Sequence, residues 1–377
     1  MEIVGIVAEY NPFHNGHRHQ ITAARAMAGE CAVVCAMSGN FVQRGECAVT
    51  DKWARARMAL EGGADLILEI PTVWAVSSAE TFARGGVGVL HAAGATALSF
   101  GSETGDGGAL ERVAQVLDTP EFTQALQPFL AQGLPFAQCR HRAVEELLGQ
   151  AGAACLGNAN DNLGVEYLRA ACRLGWTPRV YPVRRVGAGH DGGHHEHYPS
   201  ASYVRGEIRS GAIPMDNPAF LEYNLRGMLA RLRSLGPEDW EQIPDCGEGL
   251  AQRLYRAVRQ GTSLEEIYEL AKTKRYAHAR IRRAVLWAAL GLREQDRPAQ
   301  MPYLRVLGAN ERGLGVLRNQ DGSIPVITKP THGKSIPLME LEAACTDFYA
   351  LCRKHITPCG AEWSTSPIIL QNRANDV

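Results

Sequence analysis

The chain has 377 residues, 45% hydrophobic and 21% charged, with a formal net charge of −1. These are ordinary globular values, and the length leaves room for two domains. No global basic field is present, so any nucleic-acid surface has to be local. The chain runs straight into a core strand without a basic n-region or long apolar h-region, and no apolar stretch is long enough to span a bilayer. A signal peptide and a membrane segment are not expected, and a cytoplasmic location is. The ten cysteines are scattered. Several sit at apolar positions (Cys31, Cys35, Cys172) and none forms a CxxC pair, which predicts reduced thiols.

The first hundred residues alternate regularly. Strand-like Glu2–Ala8 precedes a helix over about Gly16–Ala28. Cys31–Ser38 is a second apolar run, followed by a polar loop, Gly39–Thr50, and a helix over Asp51–Glu61. Ala64–Ile70 reads as a third strand closed by Pro71, Ser77–Ala92 as helix, and Ala97–Phe100 as a fourth strand. Continuous apolar strands alternating with helices predict a parallel α/β sheet covered on both faces. Ligands of such sheets sit beyond the strand carboxyl ends, where the polar loops converge. A helical stretch follows over about Asp106–Gly149, then a helix over Asn160–Leu174 and a fifth strand over Arg179–Arg184. Ser200 opens another helix. Pro214–Leu292 is mostly helical. A small mixed segment closes the chain: strand-like Tyr303–Leu307, a short helix, strand-like Pro325–Thr328 and a helix near Leu338–His355. The composition break near Ile213–Asn217 predicts a domain boundary.

The sharpest local signal is His14-Asn15-Gly16-His17, directly after the first strand. A helix start presents unpaired N–H groups and the positive end of the helix dipole, a seat for phosphate. At i and i+3 the two imidazoles share one face, placed to donate hydrogen bonds to phosphoryl oxygens. Gly16 is expected to leave room for a ligand against the backbone. Pro12 and Phe13 stiffen and fill the entry loop.

Other polar groups gather after the strands. Arg44 and Lys52 are candidates to meet an anionic substrate, and Asp51 to cap its helix. Gly101 ends the fourth strand where a nucleotide base or ribose could approach the backbone. Arg184 and Arg185 precede the Gly187-Ala188-Gly189 turn, and one of them is expected on phosphate. Ser200 and Ser202 open a second helix that either is simply capped by serine or also holds phosphate, with Arg205 one turn further in. His190, His194, His195 and His197 lie with Asp191 and Glu196 in a glycine-rich loop that matches no strong zinc spacing and reads better as a lid. The densest positive charge is Lys272, Lys274, Arg275, Arg280, Arg282 and Arg283, interleaved with apolar Ile281, Val285 and Leu286. It reads equally as a solvated helix face or as a face for RNA phosphates, with Tyr276 available to stack on a base.

Taken in order, these motifs resemble the bacterial tRNA(Met) cytidine acetate ligase family of HxGH nucleotidyltransferases. The resemblance rests on residues 5–17, 38–46, 51–55, 63–66, 78–80, 98–103, 160–167 and 185–189, and more weakly on 274–276 and 305–308. It implies a Rossmann-like parallel-sheet nucleotidyltransferase domain over 1–213, with a helical insertion at about 106–150. A mostly helical, mixed domain over 214–377 would then contact tRNA. The implied reaction joins acetate to AMP from ATP, then passes the acetyl group to N4 of the wobble cytidine of elongator tRNA(Met). ATP is implied at Val7, Ala8, Glu9, Tyr10, Asn11, Pro12, Phe13, His14, Asn15, Gly16, His17, Arg18, His19 and Gln20, with Gly101, Asn160 and either Arg184 or Arg185. His14 and His17 are implied to stabilise the α-phosphate as pyrophosphate leaves. Mg2+ is expected with the triphosphate, with no ligands singled out. The chain departs from the family at Ser200-Ala201-Ser202, where Ser-Ala-Thr is usual, and after Gly189, where Tyr-His-Asp is expected. Two rivals stay open: a small-molecule adenylyl- or cytidylyltransferase of the same fold, and a non-catalytic RNA-binding relative.

Overall fold

The computed structural model describes residues 1–185, 200–320 and 322–371. Its strands, in chain order, are β1 (Glu2–Ala8), β2 (Cys31–Ser38), β3 (Phe41–Val42), β4 (Glu46–Cys47), β5 (Leu66–Ile70), β6 (Ala97–Ser102), β7 (Arg179–Arg184), β8 (Leu304–Ala309), β9 (Val326–Ile327) and β10 (Ile368–Ile369). The main sheet has eight strands, ordered β10-β8-β5-β2-β1-β6-β7, with β9 paired to β8. Its pairings are parallel except that of β5 with β8. In register, Val4 of β1 faces Val33 of β2 on one side and Ala97 of β6 on the other.

Every residue of β2 is buried, as its uninterrupted apolar run requires of a strand covered on both faces. Alternation splits its side chains between two cores. Cys31, Val33, Cys35 and Met37 pack with Ile21 and Ala24 of helix α1 (Asn15–Ala28), and with Ala56 and Leu60 of helix α2 (Lys52–Glu61). Ala32, Val34 and Ala36 join the opposite core with Val87 and Leu90 of the helix Ala79–Ala92. That helix comes close to the sheet: a Cβ on Gly86 would stand 2.6 Å from Val7 Cγ1.

The helical stretch after β6 is three helices, Gly107–Val116, Pro120–Ala131 and Phe136–Ala153. Ala159–Arg173 then leads to β7. The polar loop Gly39–Thr50 contains the antiparallel β3–β4 hairpin, too short for a periodic signal. From Leu225 to Leu290 the chain is mostly helical, but residues 272–277 form a turn between the helices Leu264–Ala271 and His278–Leu290, so the basic run is not one helix face.

The terminal strands depart from expectation. Tyr303–Leu307 and Pro325–Thr328 read as part of a small C-terminal segment. The structure instead places β8 beside β5, so the last quarter of the chain completes the sheet begun by β1 and β2. An apolar strand reads the same whichever sheet it joins, and its partner here lies more than two hundred residues upstream. Asn310 fixes the junction: its N–H donates to the Asp65 carbonyl at 2.9 Å and its Nδ2 to Asp65 Oδ1 at 2.8 Å. Behind it lies a buried charge network. Lys52 Nζ stands 2.6 Å from Glu69 Oε1 and 2.5 Å from Glu362 Oε2, and Arg305 Nε is 3.3 Å from Glu362 Oε1. Lys52, Arg305 and Glu362 have no exposed surface. Removing Lys52 leaves Glu69 buried without its cation, while Glu362 keeps Arg305; breaking such a buried pair costs about 3–5 kcal/mol. Lys52→Met is therefore expected to lower the unfolding free energy by about that amount, read by urea titration; an unchanged midpoint would remove the network from the fold's support.

Candidate active site

The site grows from the start of α1. His14 is its N-cap, extended at φ −146° and ψ 176°. The Gly16 N–H donates to His14 Nδ1 at 3.0 Å, and the His14 N–H donates to His17 Nδ1 at 3.2 Å. This is a capping box made of two imidazoles in place of the usual hydroxyl and carboxylate. An Nδ1 that accepts carries no proton, so each ring is neutral with its proton on Nε2. The rings stack at 3.8 Å and 21°, and Tyr10 meets His17 edge-on at 4.8 Å. Burial, then the Arg185 guanidinium, lowers the His14 pKa from 6.5 to about 4. Burial, His14 and Arg185 together push His17 well below 6.5. Neutral rings at pH 7 avoid a repelling pair of cations and keep both Nε2–H donors.

Gly16 has a different reason from the one its sequence context predicts. A Cβ there would stand 2.9 Å from His14 Cε1, so the glycine makes room for the imidazole that caps the helix, before any ligand.

Around this centre the structure gathers most of the residues expected on nucleotide. Val7 and Ala8 end β1. Glu9 Oε1 accepts from the Gln43 N–H at 2.7 Å. Burial raises the Glu9 pKa, opposed by that hydrogen bond and by Arg205 and Arg44, which puts Arg44 beside the β1 loop. Tyr10 and Asn11 are buried, and Asn11 Oδ1 accepts from the Val49 N–H at 2.8 Å. Pro12 and Phe13 complete the loop. Asn15 and Arg18 are exposed on the first turn and His19 is half-buried. Gln20 Nε2 donates to the Ser99 carbonyl at 3.5 Å.

The second helix start also arrives here. Ser200 Oγ caps Ala201–Ser210, accepting from the Tyr203 N–H at 3.1 Å. Arg205 Nη1 donates to the Asn11 carbonyl at 3.0 Å and its Nη2 to Ser202 Oγ at 3.1 Å. The two helix openings are thus tied together through Arg205.

The two arginines at the end of β7 separate. Arg185 Cγ would lie 3.7 Å from a Cβ on Gly101, and its charge acts on both histidines; Arg184 Cβ stands at the same distance from a Cβ on Gly105. Asn160 is held by an acid that sequence reasoning does not single out. Glu103 Oε1 accepts from Asn160 Nδ2 at 2.6 Å, and Glu103 Oε2 from the Asp161 N–H at 2.9 Å. Asp161 answers by accepting from the Glu103 and Thr104 N–H groups at 3.1 and 3.2 Å, and from the Ser102 hydroxyl. The two acids are present in the sequence, but nothing local pairs residues so far apart.

Other expectations are corrected. Lys52 is sealed in the network with Glu69 and Glu362 and does not reach the open edge. Tyr276 is 4% exposed, its hydroxyl donating to the Glu248 carbonyl, so it packs rather than stacks on a base. The basic segment is largely occupied with the protein itself. Lys272 Nζ donates to the Tyr276 carbonyl, Arg280 pairs with Glu248 at 2.9 Å, Arg282 with Glu46, and Arg283 stands 3.9 Å from Asp245. Lys274 and Arg275 are exposed, with no ion pair among the described residues. Gly187, Ala188, Gly189, His190, Asp191, His194, His195, Glu196 and His197 lie outside the described residues. Among the described residues, no three His, Cys, Asp or Glu gather as a metal site. No described helix is long and apolar enough to cross a membrane.

A parallel sheet with paired imidazoles at the first helix start defines a HIGH nucleotidyl transferase, and the family model of that description matches residues 1–362. Thermotoga maritima TmcAL in its apo form superposes with a TM-score of 0.92 at 31% identity, covering 98% of this chain and 100% of that one. The same protein bound with alpha-thio ATP superposes at 0.89 and 32% identity, with the same coverage. The tRNA(Met) cytidine acetate ligase of Clostridium kluyveri is 33% identical over 408 residues, covering 98% of this chain and 99% of that protein. That of Fervidobacterium nodosum is 35% identical over 358 residues, covering 87% and 84%. The chain belongs to the tRNA(Met) cytidine acetate ligase family.

The lowered histidine pKa values carry a sign. Neutral rings favour the fold above pH 6.5, and that contribution fades as pH falls from 6.5 toward 4. An NMR titration of the free protein is expected to show His14 neutral at pH 6, with its proton on Nε2 and a midpoint near 4. A midpoint near 6.5 would mean the ring stands in open solvent.

Proposed function

We propose that the protein is an ATP-dependent ligase that forms N4-acetylcytidine at the wobble position of elongator tRNA(Met), through acetyl-adenylate. The observation that carries this reading is the imidazole capping box, which fixes two Nε2–H donors at the amino end of α1. ATP would lie over that helix start, its α-phosphate against His14 and His17. The exposed Arg185 stands beside the histidines, and Ser200 and Ser202 open the second helix dipole toward the outer phosphates. Gly101, on β6 beside β1, and Asn160, held by Glu103, would meet the nucleoside. Arg44, near Glu9, is the candidate contact for acetate. Magnesium would accompany ATP and offset the charge of its triphosphate.

The first step needs orientation and charge stabilisation rather than a protein nucleophile. An acetate oxygen bonds to the α-phosphorus as the bond to the β-phosphate oxygen breaks, and pyrophosphate leaves. His14 and His17 donate to the charge that grows on the α-phosphate oxygens, and the α1 dipole acts with them. In the second step the cytidine N4 attacks the acetyl carbon. The N–C bond forms, the bond between the acetyl carbon and the phosphate oxygen breaks, AMP leaves with that electron pair, and N4 releases one proton to water. The wobble base has to be splayed out of its stack to reach this edge. Within residues 272–283, Lys274 and Arg275 are the exposed cations without an ion pair among the described residues, and they would hold tRNA phosphates. A tRNA substrate places the reaction in the cytoplasm.

With ATP and acetate but no RNA, the protein is expected to release pyrophosphate and form acetyl-AMP. His14→Ala or His17→Ala should reduce this at least about 100-fold, the scale of losing an oriented transition-state donor, while circular dichroism stays unchanged. Full turnover in either variant would take the histidines out of the site, and product only with a phosphorylated metabolite would favour a small-molecule transferase. The double charge reversal Lys274→Glu/Arg275→Glu should weaken tRNA acetylation while sparing acetyl-AMP formation. Equal losses in both steps would place the RNA contact elsewhere.

A further inference from the structure

The carboxyl edge of a parallel sheet has an electrostatic problem when its ligand is a polyanion. Where the strands end and the chain turns into loops, carbonyl oxygens run past the ladder, lose their partner N–H on the next strand, and present partial negative charge beside that edge. Here one side chain takes up those oxygens. Arg55, on α2, has no exposed surface. Its Nη1 donates to the Glu9 carbonyl at 2.7 Å and to the Ser38 carbonyl at 3.0 Å. Its Nε donates to the Thr50 carbonyl at 3.1 Å, and its Nη2 to the Gly39 carbonyl. Glu9 follows β1, Ser38 ends β2, Gly39 opens the hairpin loop, and Thr50 closes it. A single guanidinium therefore gathers four oxygens from the segments that flank the cleft. No carboxylate hydrogen-bonds to it among the described residues.

Burying a cation whose direct partners are all neutral carbonyls is costly for stability alone. The arrangement is also one that Lys cannot copy. A planar fork with five N–H donors spans several carbonyls at once, whereas an ammonium has three donors on one nitrogen. We propose that Arg55 is a positioning residue for the triphosphate: it draws the edge carbonyls of β1 and β2 down and inward, and leaves its own positive charge beneath the phosphates. This deepens the proposed function and rests on the reading that ATP is the nucleotide bound here. Arg55 touches no reacting atom; it acts through the two loops it holds and through its field.

A purely structural arginine would weaken every ligand of the cleft by one factor. An electrostatic seat weakens them in order of charge. The test measures calorimetric affinity for ATP, AMP and adenosine, with the thermal midpoint, in the wild type, Arg55→Met and Arg55→Lys. For Arg55→Met the loss is expected to reach about tenfold or more for ATP, less for AMP and least for adenosine. For Arg55→Lys, which keeps the charge but leaves at least one carbonyl unpaired, the same order is expected with a smaller loss, about threefold for ATP. Arg55→Lys decides the matter if Arg55→Met does not fold. Equal losses for the three ligands, or no loss, in a folded variant overturns the proposal while the nucleotide reading stands. A wild-type protein that binds none of the three ligands overturns both.

Discussion

Two backbone N–H groups at the start of α1 donate to imidazole nitrogens, and the rest of the site is arranged around that fact. A helix amino end needs its orphan donors satisfied, and serine or aspartate would do so at less steric cost. Using His14 and His17 instead commits Nδ1 of each ring to the fold and leaves Nε2–H for chemistry. It also sets the demands on the neighbours. Gly16 must lack a Cβ because the His14 ring lies over it. Tyr10 and Phe13 must wall the rings so that they stay neutral. Capping and ligand recognition are one interaction seen from two sides of the same ring.

The parallel core was legible because its physics is local. The run Cys31–Ser38 has no polar break, which marks a strand buried on both faces, and helices α1 and α2 begin where the caps His14 and Asp51 stand. The loops on the carboxyl edge follow from that pattern. The His14–His17 pair was legible for the same reason: strand, turn and helix are contiguous. The pairings of Glu103 with Asp161 and of Arg205 with Asn11 were not, since each joins segments that only the finished sheet brings together.

Charge was the least readable quantity. Lys52 and Arg44 stand in similar polar surroundings in the sequence, yet one is sealed beneath the sheet and the other lies beside Glu9. Six cations along residues 272–283 look like one face, but Glu46, Glu248 and Asp245 come from elsewhere to engage three of them. A basic run reports how much charge a segment carries; the folded surroundings decide how much of it solvent or a ligand meets. Tyr276 shows the same for aromatics, since its neighbours cover it.

The position of β8 has a consequence for how the molecule is made. While the chain is being synthesised, β1, β2 and β5 can pair as soon as they emerge, but the outer edge of β5 waits for residues 304–309. At ordinary ribosomal rates of roughly 5–20 residues per second that interval is on the order of ten seconds or more. Throughout it, the apolar strand Leu66–Ile70 offers unpaired hydrogen-bonding groups to any neighbouring nascent chain, the condition under which edge-to-edge aggregation begins. A ribosome that stalls or terminates before β8 would release a sheet with a sticky border, so the late strand also serves as the seal that ends the vulnerable period.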